Sequence, residues 1–567
     1  MRKDPIQASQ VAIISTLLFA MLLMAVPSGH STAVTDLNGT GAGTTLTELT
    51  SLNAHAPIRI DGDADLVAQA TVEGWSGTGS IGSPYIIQNL DINATGSYNG
   101  IYIGNVTLCF VIANCSISGA ASAPANDYPY SYGAGITVLN VSGVATVHNN
   151  LCDGNSEGIF VYGSNFSMLE NNTCDNNGYD GINLYGSSSG TIRNNICSGN
   201  ANTGIYLAGS SKSNAITGNV CSAEGYGIYL FRSGSNTVAA NVCKSDGHGI
   251  LLGISENCTV TGNSCTGSTL SGITLEGSNS TVVSQNTCND NGYYGIFLDT
   301  ASGDTVSSNV CNGNKYYGIF LGGSHSNTVK DNECGSNSFY GVYLYSSWSN
   351  LIAGNTCNYN THYGVYLYSA SINNTVRSNV CDGNSEVGIF LYSSGTENLV
   401  STNDCDNNGH YGVYLYSSNH TTISENHCRM NGYYGIYLYN GSSNNSVMGN
   451  TCDENVATGI FLYLDCGNNS IESNICNDNK GKGIQVLQGC ADNAIAKNTC
   501  LNNGEAINVD GTSLGNKVTD NTVVATTNND WAWFAVGGAA ILAIVLGAFL
   551  VLRSKRRSAR KKGKSGR

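Results

Sequence analysis

Between residues 332 and 367 apolar and polar positions alternate in short bursts. Gly341-Val342-Tyr343-Leu344-Tyr345 reads with period two, as does Gly364 to Leu367, and Asn350-Leu351-Ile352 stands between them. Period two is strand periodicity, which puts Val342 and Leu344 on one face and Tyr343 and Tyr345 on the other. Asn332-Glu333-Cys334 and Asn355-Thr356-Cys357 follow the same pattern 23 residues apart. Short strands split by Asn, Gly and Ser turns and repeated at this period predict a solenoid in which each repeat is one coil. Helical periodicity is absent between residues 85 and 525.

Cysteines at 152, 174, 197 and onward to 500 are separated by 22 to 24 residues, and all sixteen carry Asn two positions earlier. A Gly-Ile/Val pair recurs in phase from Gly100 to Gly483, with a degenerate Ala506-Ile507 at the end. About eighteen coils are expected over residues 98–525, preceded by a cap at 34–97 that covers the first sheet edge. Asn355 and Cys357 share parity and are placed at the interior, where stacked amides bond from coil to coil along the axis. A second Asn series three residues after the cysteine (Asn155, Asn177, Asn200 and onward) is read as shaping the turn, because Asn tolerates left-handed angles.

The 21 cysteines leave buried thiols and disulfides open, while a metal-binding wire of thiolates would need sulfurs exposed and deprotonated. Stacked Cβ atoms about 4.8 Å apart suit a disulfide poorly, because the bond wants about 3.8 Å. The ladder is therefore read as buried thiols or, less simply, as pairwise bridges. Off the ladder, Cys109 with Cys115 and Cys466 with Cys490 are the disulfide candidates.

Composition fits one long solenoid, with 70 Gly and only 6 Pro among 567 residues. Setting aside Arg2, Lys3 and nine cations near the C-terminus leaves 13 basic residues of 24, against 38 acids of 39 once Asp4 is excluded. Such a body, at about −25, repels phosphate backbones, so no nucleic-acid partner is expected.

The chain opens with Arg2 and Lys3, an apolar run from Val11 to Val26 and small residues to Ala33, the pattern of a signal peptide over 1–33. His55 to Asp61, Gly74 to Gly79 and Ser83 to Ile92 follow. These stretches and the repeats behind them resemble the NosD-like family of secreted and surface proteins, over about four fifths of the chain. The resemblance implies an all-β, right-handed parallel β-helix. It also brings two functions to weigh: copper delivery of the NosD type, and the polysaccharide lyases and hydrolases among related β-helices.

The outward positions of the Gly-Ile strand carry the main candidate site. The first runs Phe297, Phe320, Tyr343, Tyr366, Phe390, Tyr414, Tyr437 and Phe461; the second runs Tyr345, Tyr368, Tyr392, Tyr416, Tyr439 and Tyr463, after Asp299 and Gly322. Two stripes of this kind extend about 35 Å over eight coils. Aromatic faces stack on sugar rings and Tyr adds a hydroxyl, so an elongated glycan is one expected ligand. Aromatic residues also suit exposed strands and stack on one another between coils, which needs no ligand.

For catalysis the candidates are Glu276 and Asp299, at the second outward position of adjacent coils, where their carboxyls could sit about 5 Å apart as in a retaining glycosidase. Solvated acids are equally the ordinary reading in so acidic a body. Copper finds few ligands: the His are scattered and no Met-rich cluster occurs. Asp61-Gly62-Asp63-Ala64-Asp65 fails the calcium-loop pattern at Leu66 and Val72 and is read as a solvated turn. No metal site and no cofactor are expected. Asn93, Asn105, Asn140, Asn165, Asn279, Asn373, Asn419, Asn440 and Asn468 open glycosylation sequons.

After a linker at 526–530, residues 531–552 form a run of 22 without a charge, followed by nine Lys/Arg in a basic tail at 553–567. This predicts a transmembrane helix with a cytoplasmic tail and the solenoid outside the cell. The sequence reading is thus a single-pass cell-surface β-helix for glycan binding, adhesion or envelope structure, with envelope proteins as further partners. A tethered polysaccharide hydrolase or lyase and a copper-delivery protein are the alternatives.

Overall fold

The computed structural model describes residues 52–121, 133–164 and 168–525. All belong to one compact unit beginning at Thr50. Its architecture is a stack of parallel coils, each contributing a strand to each of three sheets. Sheet 1 holds nineteen strands, from Ile58–Asp61 to Glu505–Val509, most of them six residues long. Sheet 2 holds nineteen shorter strands, from Tyr85–Gln88 to Lys517–Thr519. Sheet 3 runs as nine strands from Asn53–His55 to Ser264–Thr266. It then narrows to single bridge residues, Thr287, Val310 and Glu333 among them, as far as Thr499. Coils are numbered here from the sheet 1 strand Ile58–Asp61.

The register keeps like beside like, Val342 opposite Val365 and Leu344 opposite Leu367. Inward columns therefore continue unbroken: Val342, Leu344, Ile352 and Cys357, with their equivalents up and down the stack, are fully buried. At about 1.5–3 kcal/mol for each aliphatic side chain taken from water, these columns drive the fold.

Corners are held by polar ladders. Asn355 Nδ2 donates to Val329 O of the preceding coil (3.0 Å) and to Asn379 Oδ1 of the next (2.9 Å). Its Oδ1 accepts from the Asn332 backbone at 3.0 Å and from Asn332 Nδ2 at 2.9 Å. Every amide is saturated by its copies, as expected for this ladder. A serine ladder works alike: Ser347 Oγ donates to Leu321 O and accepts from Ser324 N, both at 3.0 Å.

Several expectations need correcting. The coils number nineteen rather than eighteen, because the first falls inside the expected cap. What covers the N-terminal end is the helix Asp63–Glu73, held down where Asp63 accepts from Thr107 N at 2.7 Å and Leu108 N at 3.2 Å. The Asp61–Asp65 stretch thus opens a helix rather than a free turn. The second Asn series is a buried ladder, Asn337 N donating to Asn360 Oδ1 at 2.9 Å. The left-handed turn is made one residue earlier, by Asn176, Asp290, Tyr359 or Asn407.

The signal peptide at 1–33, the linker at 526–530, the transmembrane helix at 531–552 and the tail at 553–567 lie outside the described residues. Among the described residues no helix is long and apolar enough to cross a membrane, and the fold is a β-solenoid with one short helix in place of the expected solenoid with a spanning helix.

Candidate functional site

Strict alternation along sheet 1 fails at one residue per coil. Gly341 and Val342 are adjacent, yet both turn inward: the register pairs Tyr340 and Val342 with their counterparts and passes over Gly341. A Cβ on Gly341 would lie 2.7 Å from Gly364 O and 2.8 Å from Cys357 Cβ. Glycine is required here because the strand closes onto the cysteine column, whose small thiols fill the other side. The break carries the residue before glycine to the outer face. Tyr340 therefore stands beside Tyr343, their ring centroids 5.3 Å apart.

The outer face of coils 10 to 17 consequently carries more aromatic columns than alternation foresees. Beside the column from Phe297 to Phe461 stands one of Tyr294, Tyr317, Tyr340, Tyr363, Tyr411 and Tyr434. Outside it comes another of Tyr293, Tyr316, Phe339, His362, His410 and Tyr433. The signal was present in the sequence, in repeated Tyr-Tyr-Gly triplets such as 293–295, 316–318 and 433–435.

The expected binding stripes differ from one another. Phe320, Tyr343, Tyr366, Phe390, Tyr414, Tyr437 and Phe461 form a regular stack with centroids 4.5–5.2 Å apart and planes within 14°. Phe297 continues it onto Phe320 at 4.8 Å. Rings of the neighbouring column wedge edge-on between them, as Tyr317 does against Tyr343 at 4.9 Å and 61°. In this stack each inner ring's faces are covered by its neighbours; Phe390, Tyr437 and Phe461 are buried and the other five rings half-buried. Burial, then the neighbouring phenols, raise the Tyr343, Tyr366, Tyr414 and Tyr437 hydroxyls well above the usual range. This column is an external aromatic core.

Tyr345, Tyr368, Tyr392, Tyr416, Tyr439 and Tyr463 form a half-exposed rim beside the stack. Here the rings turn irregularly. Tyr392 and Tyr416 are nearly parallel (4.5 Å, 17°), but Tyr368 and Tyr392 meet at 53° and Tyr416 and Tyr439 at 71°. Tyr439 and Tyr463 are parallel again (5.8 Å, 8°), so the turns interrupt the ring-on-ring stacking along the half-exposed rim without abolishing it.

Glu276 and Asp299 are register partners, as the spacing predicts. Glu276 is exposed and Asp299 half-buried. Burial, and secondarily the Glu276 charge, raise the Asp299 carboxyl. Phe297 precedes Asp299 by two residues on the same outer face of its strand, so the acids sit at the lower end of the aromatic stack.

A further set escaped the sequence reading because it stands on the column that the glycine break exposes. In coils 4 to 8 that column reads Glu157, Asp180, Thr203, Tyr226 and His248. His248 is stacked on Tyr226 at 5.8 Å, its Nδ1 is 3.2 Å from Thr274 Oγ1, and burial depresses it to about 4.

All 21 cysteines are free, buried thiols. Cys466 and Cys490 occupy adjacent rungs of the serine ladder, Cys466 N donating to Cys490 Sγ at 3.2 Å, and are unbridged. Cys115 heads the Asn355-type ladder, its N–H bonded to Asn150 Oδ1 at 3.0 Å, whereas Cys109 accepts from Val144 N at 3.4 Å; these two are also unbridged. Burial raises ladder thiols such as Cys311 and Cys405 well above their usual range. Among the described residues no group of three or more His, Cys, Asp or Glu converges to hold a metal ion.

The stacked coils define a class, and the comparisons agree with it. The profile described as "Right handed beta helix region" matches residues 212–356, 248–405 and 395–523, together more than half of the chain. The chain belongs to the right-handed β-helix family. Residues 76–252 are in addition similar to "Periplasmic copper-binding protein (NosD)".

No curated protein matches the chain. Among solved structures it is similar to the Dettilon tailspike protein, with 16% identity over 59% of this chain and 62% of that one and a TM-score of 0.34. It is also similar to the mannuronan C-5 epimerase AlgE6 A-module of Azotobacter vinelandii (15%, 73% and 90%, 0.24). A third likeness is to DFA-IIIase from Arthrobacter chlorophenolicus A6 without its lid (15%, 67% and 93%, 0.31). Likenesses this distant carry no argument about activity.

Proposed function

We propose that this protein is an extracytoplasmic β-helix that holds an extended polysaccharide along the tyrosine rim of coils 12 to 17. The observation that carries the reading is the contrast between stack and rim. Tyr343 and its column cover one another, whereas the rim from Tyr345 to Tyr463 offers turned ring faces and phenol oxygens. The rim repeats once per coil, about 4.8 Å, close to the advance per sugar of an extended pyranose chain. Six successive rungs let many weak ring contacts add along one polymer. The NosD description supports an extracytoplasmic setting.

The test is retention of the protein on an array of acidic and neutral polysaccharides. Retention that falls at least tenfold when Tyr368, Tyr392 and Tyr416 become Ser, with the melting temperature kept, supports the reading. An array on which nothing is retained refutes it.

A second reading rests on Glu276 and Asp299: the raised Asp299 carboxyl beside an exposed carboxylate is the arrangement of an acid and a base. New reducing or unsaturated ends released by the wild type, and not by Glu276→Gln, would favour it. Copper handling, which the NosD description names for that protein, draws no support from the described side chains.

A further inference from the structure

Glu157, Asp180 and Thr203 stand in three successive coils on the column where later coils carry tyrosine, and Asn183 lies on the outer face beside Asp180. All are nearly closed to solvent, at 3%, 3%, 0% and 7% exposed. Asp180 N donates to Glu157 Oε2 at 3.2 Å, Asn183 Nδ2 to Asp180 Oδ2 at 3.1 Å and Asn202 Nδ2 to Asp180 Oδ1 at 2.9 Å. The acids are thus locked together, with no Lys, Arg or His among the groups acting on either.

Two buried carboxylates side by side are costly unless something positive neutralises them. Their neighbours supply amide, backbone and hydroxyl donors but no cationic side chain. Asn183 Oδ1 is buried without a hydrogen-bond partner, and the buried Thr203 hydroxyl is turned toward Asp180. The Asn183 amide donates to Asp180 and acts on Glu157 as well, which leaves its carbonyl oxygen unspent. Thr203 is the register partner of Asp180. A hydroxyl and an unpaired amide oxygen together with two carboxylates are oxygen ligands of the kind a hard cation takes, and soft ligands are missing.

We propose that Glu157, Asp180, Asn183 and Thr203 hold a divalent cation of the calcium class. Both carboxylates, the Asn183 carbonyl and the Thr203 hydroxyl are its ligands, and it pins coils 4, 5 and 6 together from outside. The site is separate from the tyrosine rim and stands whether or not the rim binds a glycan. It differs from the copper named in the NosD description both in chemistry and in ligands.

The experiment uses the full chain stripped with EDTA and titrated with CaCl2, followed by calorimetry and thermal unfolding. The expected result is one saturable site per chain and a rise in melting temperature. Both should be lost in Glu157→Gln and Asp180→Asn, and the affinity should weaken tenfold or more in Asn183→Ala. No heat in the wild type overturns the proposal, as does the same heat in both acid variants, which is the diffuse response of an acidic surface. A Glu157→Gln protein that melts higher than the wild type and a wild type indifferent to calcium would show that the pair shares a proton instead.

Should the acid variants fail to fold, terbium decides the matter on the wild type and Asn183→Ala. Tyr206, the register partner of Asn183, is placed to sensitise it. A tyrosine-excited signal that calcium displaces and Asn183→Ala lacks supports the site; an equal signal in both proteins overturns it.

Discussion

Coils 4 to 8 and coils 10 to 17 turn the same strand of the same sheet outward and clothe it with opposite chemistry. In the lower coils the residue before glycine is Glu157, Asp180, Thr203, Tyr226 and His248; in the upper coils it is mostly tyrosine. Inside, the two regions are alike. Ile182, Leu184 and Cys197 are as buried as Val342, Leu344 and Cys357. The difference teaches that the inward columns and corner ladders specify the fold alone, so the outer face is free to vary. It also shows two ways of managing a dense outer face. Aromatic rings satisfy one another by stacking, whereas the acids of coils 4 and 5 are held by backbone and amide donors.

The comparison breaks most readily at the glycines. A Cβ on Gly158 would meet Gly181 O at 2.3 Å and Cys174 Cβ at 2.9 Å, much as at Gly341. Gly158→Val and Gly341→Val should each destabilise by about 3 kcal/mol, measured by guanidinium unfolding. A large inequality between them would show that the interiors are not equivalent.

Next in size is the contrast between outer faces. Tyr343 contacts Phe320, Tyr366, Tyr317 and Tyr340, whereas Tyr206 has one ring contact, with Tyr229 at 5.3 Å. Tyr343→Ala should cost about 2 kcal/mol and Tyr206→Ala about 1 kcal/mol. Equal costs would remove the claim that the upper slab is an external core.

A third effect is pH dependence at the ladders. Acids replace the amide in three places. Asp304 Oδ2 is buried without a partner, and the buried Glu224 and Asp246 carboxyls face each other. Burial, first among the causes, raises all three carboxyls, Asp304 to about 7, and Glu224 and Asp246 act on each other. Because their folded values are raised, the folded protein holds protons that the unfolded chain has released. Stability should therefore fall as pH rises from the ordinary carboxylate range near 4 through these folded values. Glu224→Gln with Asp246→Asn and Asp304→Asn restores side chains that both donate and accept. This variant should melt higher than the wild type at pH 8 and show a flatter pH profile; an unchanged profile would count against the assignment.

The smallest effect concerns the acid pair. Glu276→Gln removes the lesser of the two causes acting on Asp299, so its carboxyl should titrate slightly lower and stay above the usual range. Carbon-detected NMR of the Asp299 carboxyl would show it.

Much of this was legible in the sequence. Asn-x-Cys and Gly-Ile/Val at fixed phase announce the coils, and Val342 and Leu344 point inward as alternation requires. The stack and the rim were both placed on the outer face from Tyr343 and Tyr345. What alternation could not give is the glycine break. A rule of strict period two sends Tyr340 inward, and with it Glu157, Asp180 and Thr203, so one aromatic column and the acids of the oxygen cluster went unread. The distinction between stack and rim was equally out of reach, since ring orientation depends on packing between coils rather than on residue type. The first coil was hidden because Ile58 to Asp61 lacks the Gly-Ile pair that marks its successors.

The central claim is that the turned rings of the rim, and not the self-covered rings of the stack, meet the ligand. The direct measurement is the dissociation constant for a polysaccharide retained by the wild type, compared between a rim variant, Tyr368→Ser with Tyr416→Ser, and a stack variant, Tyr343→Leu. The account predicts at least a tenfold loss for the rim variant with little change in melting temperature, and near wild-type binding with a lowered melting temperature for the stack variant. Equal binding by the rim variant and the wild type would contradict it.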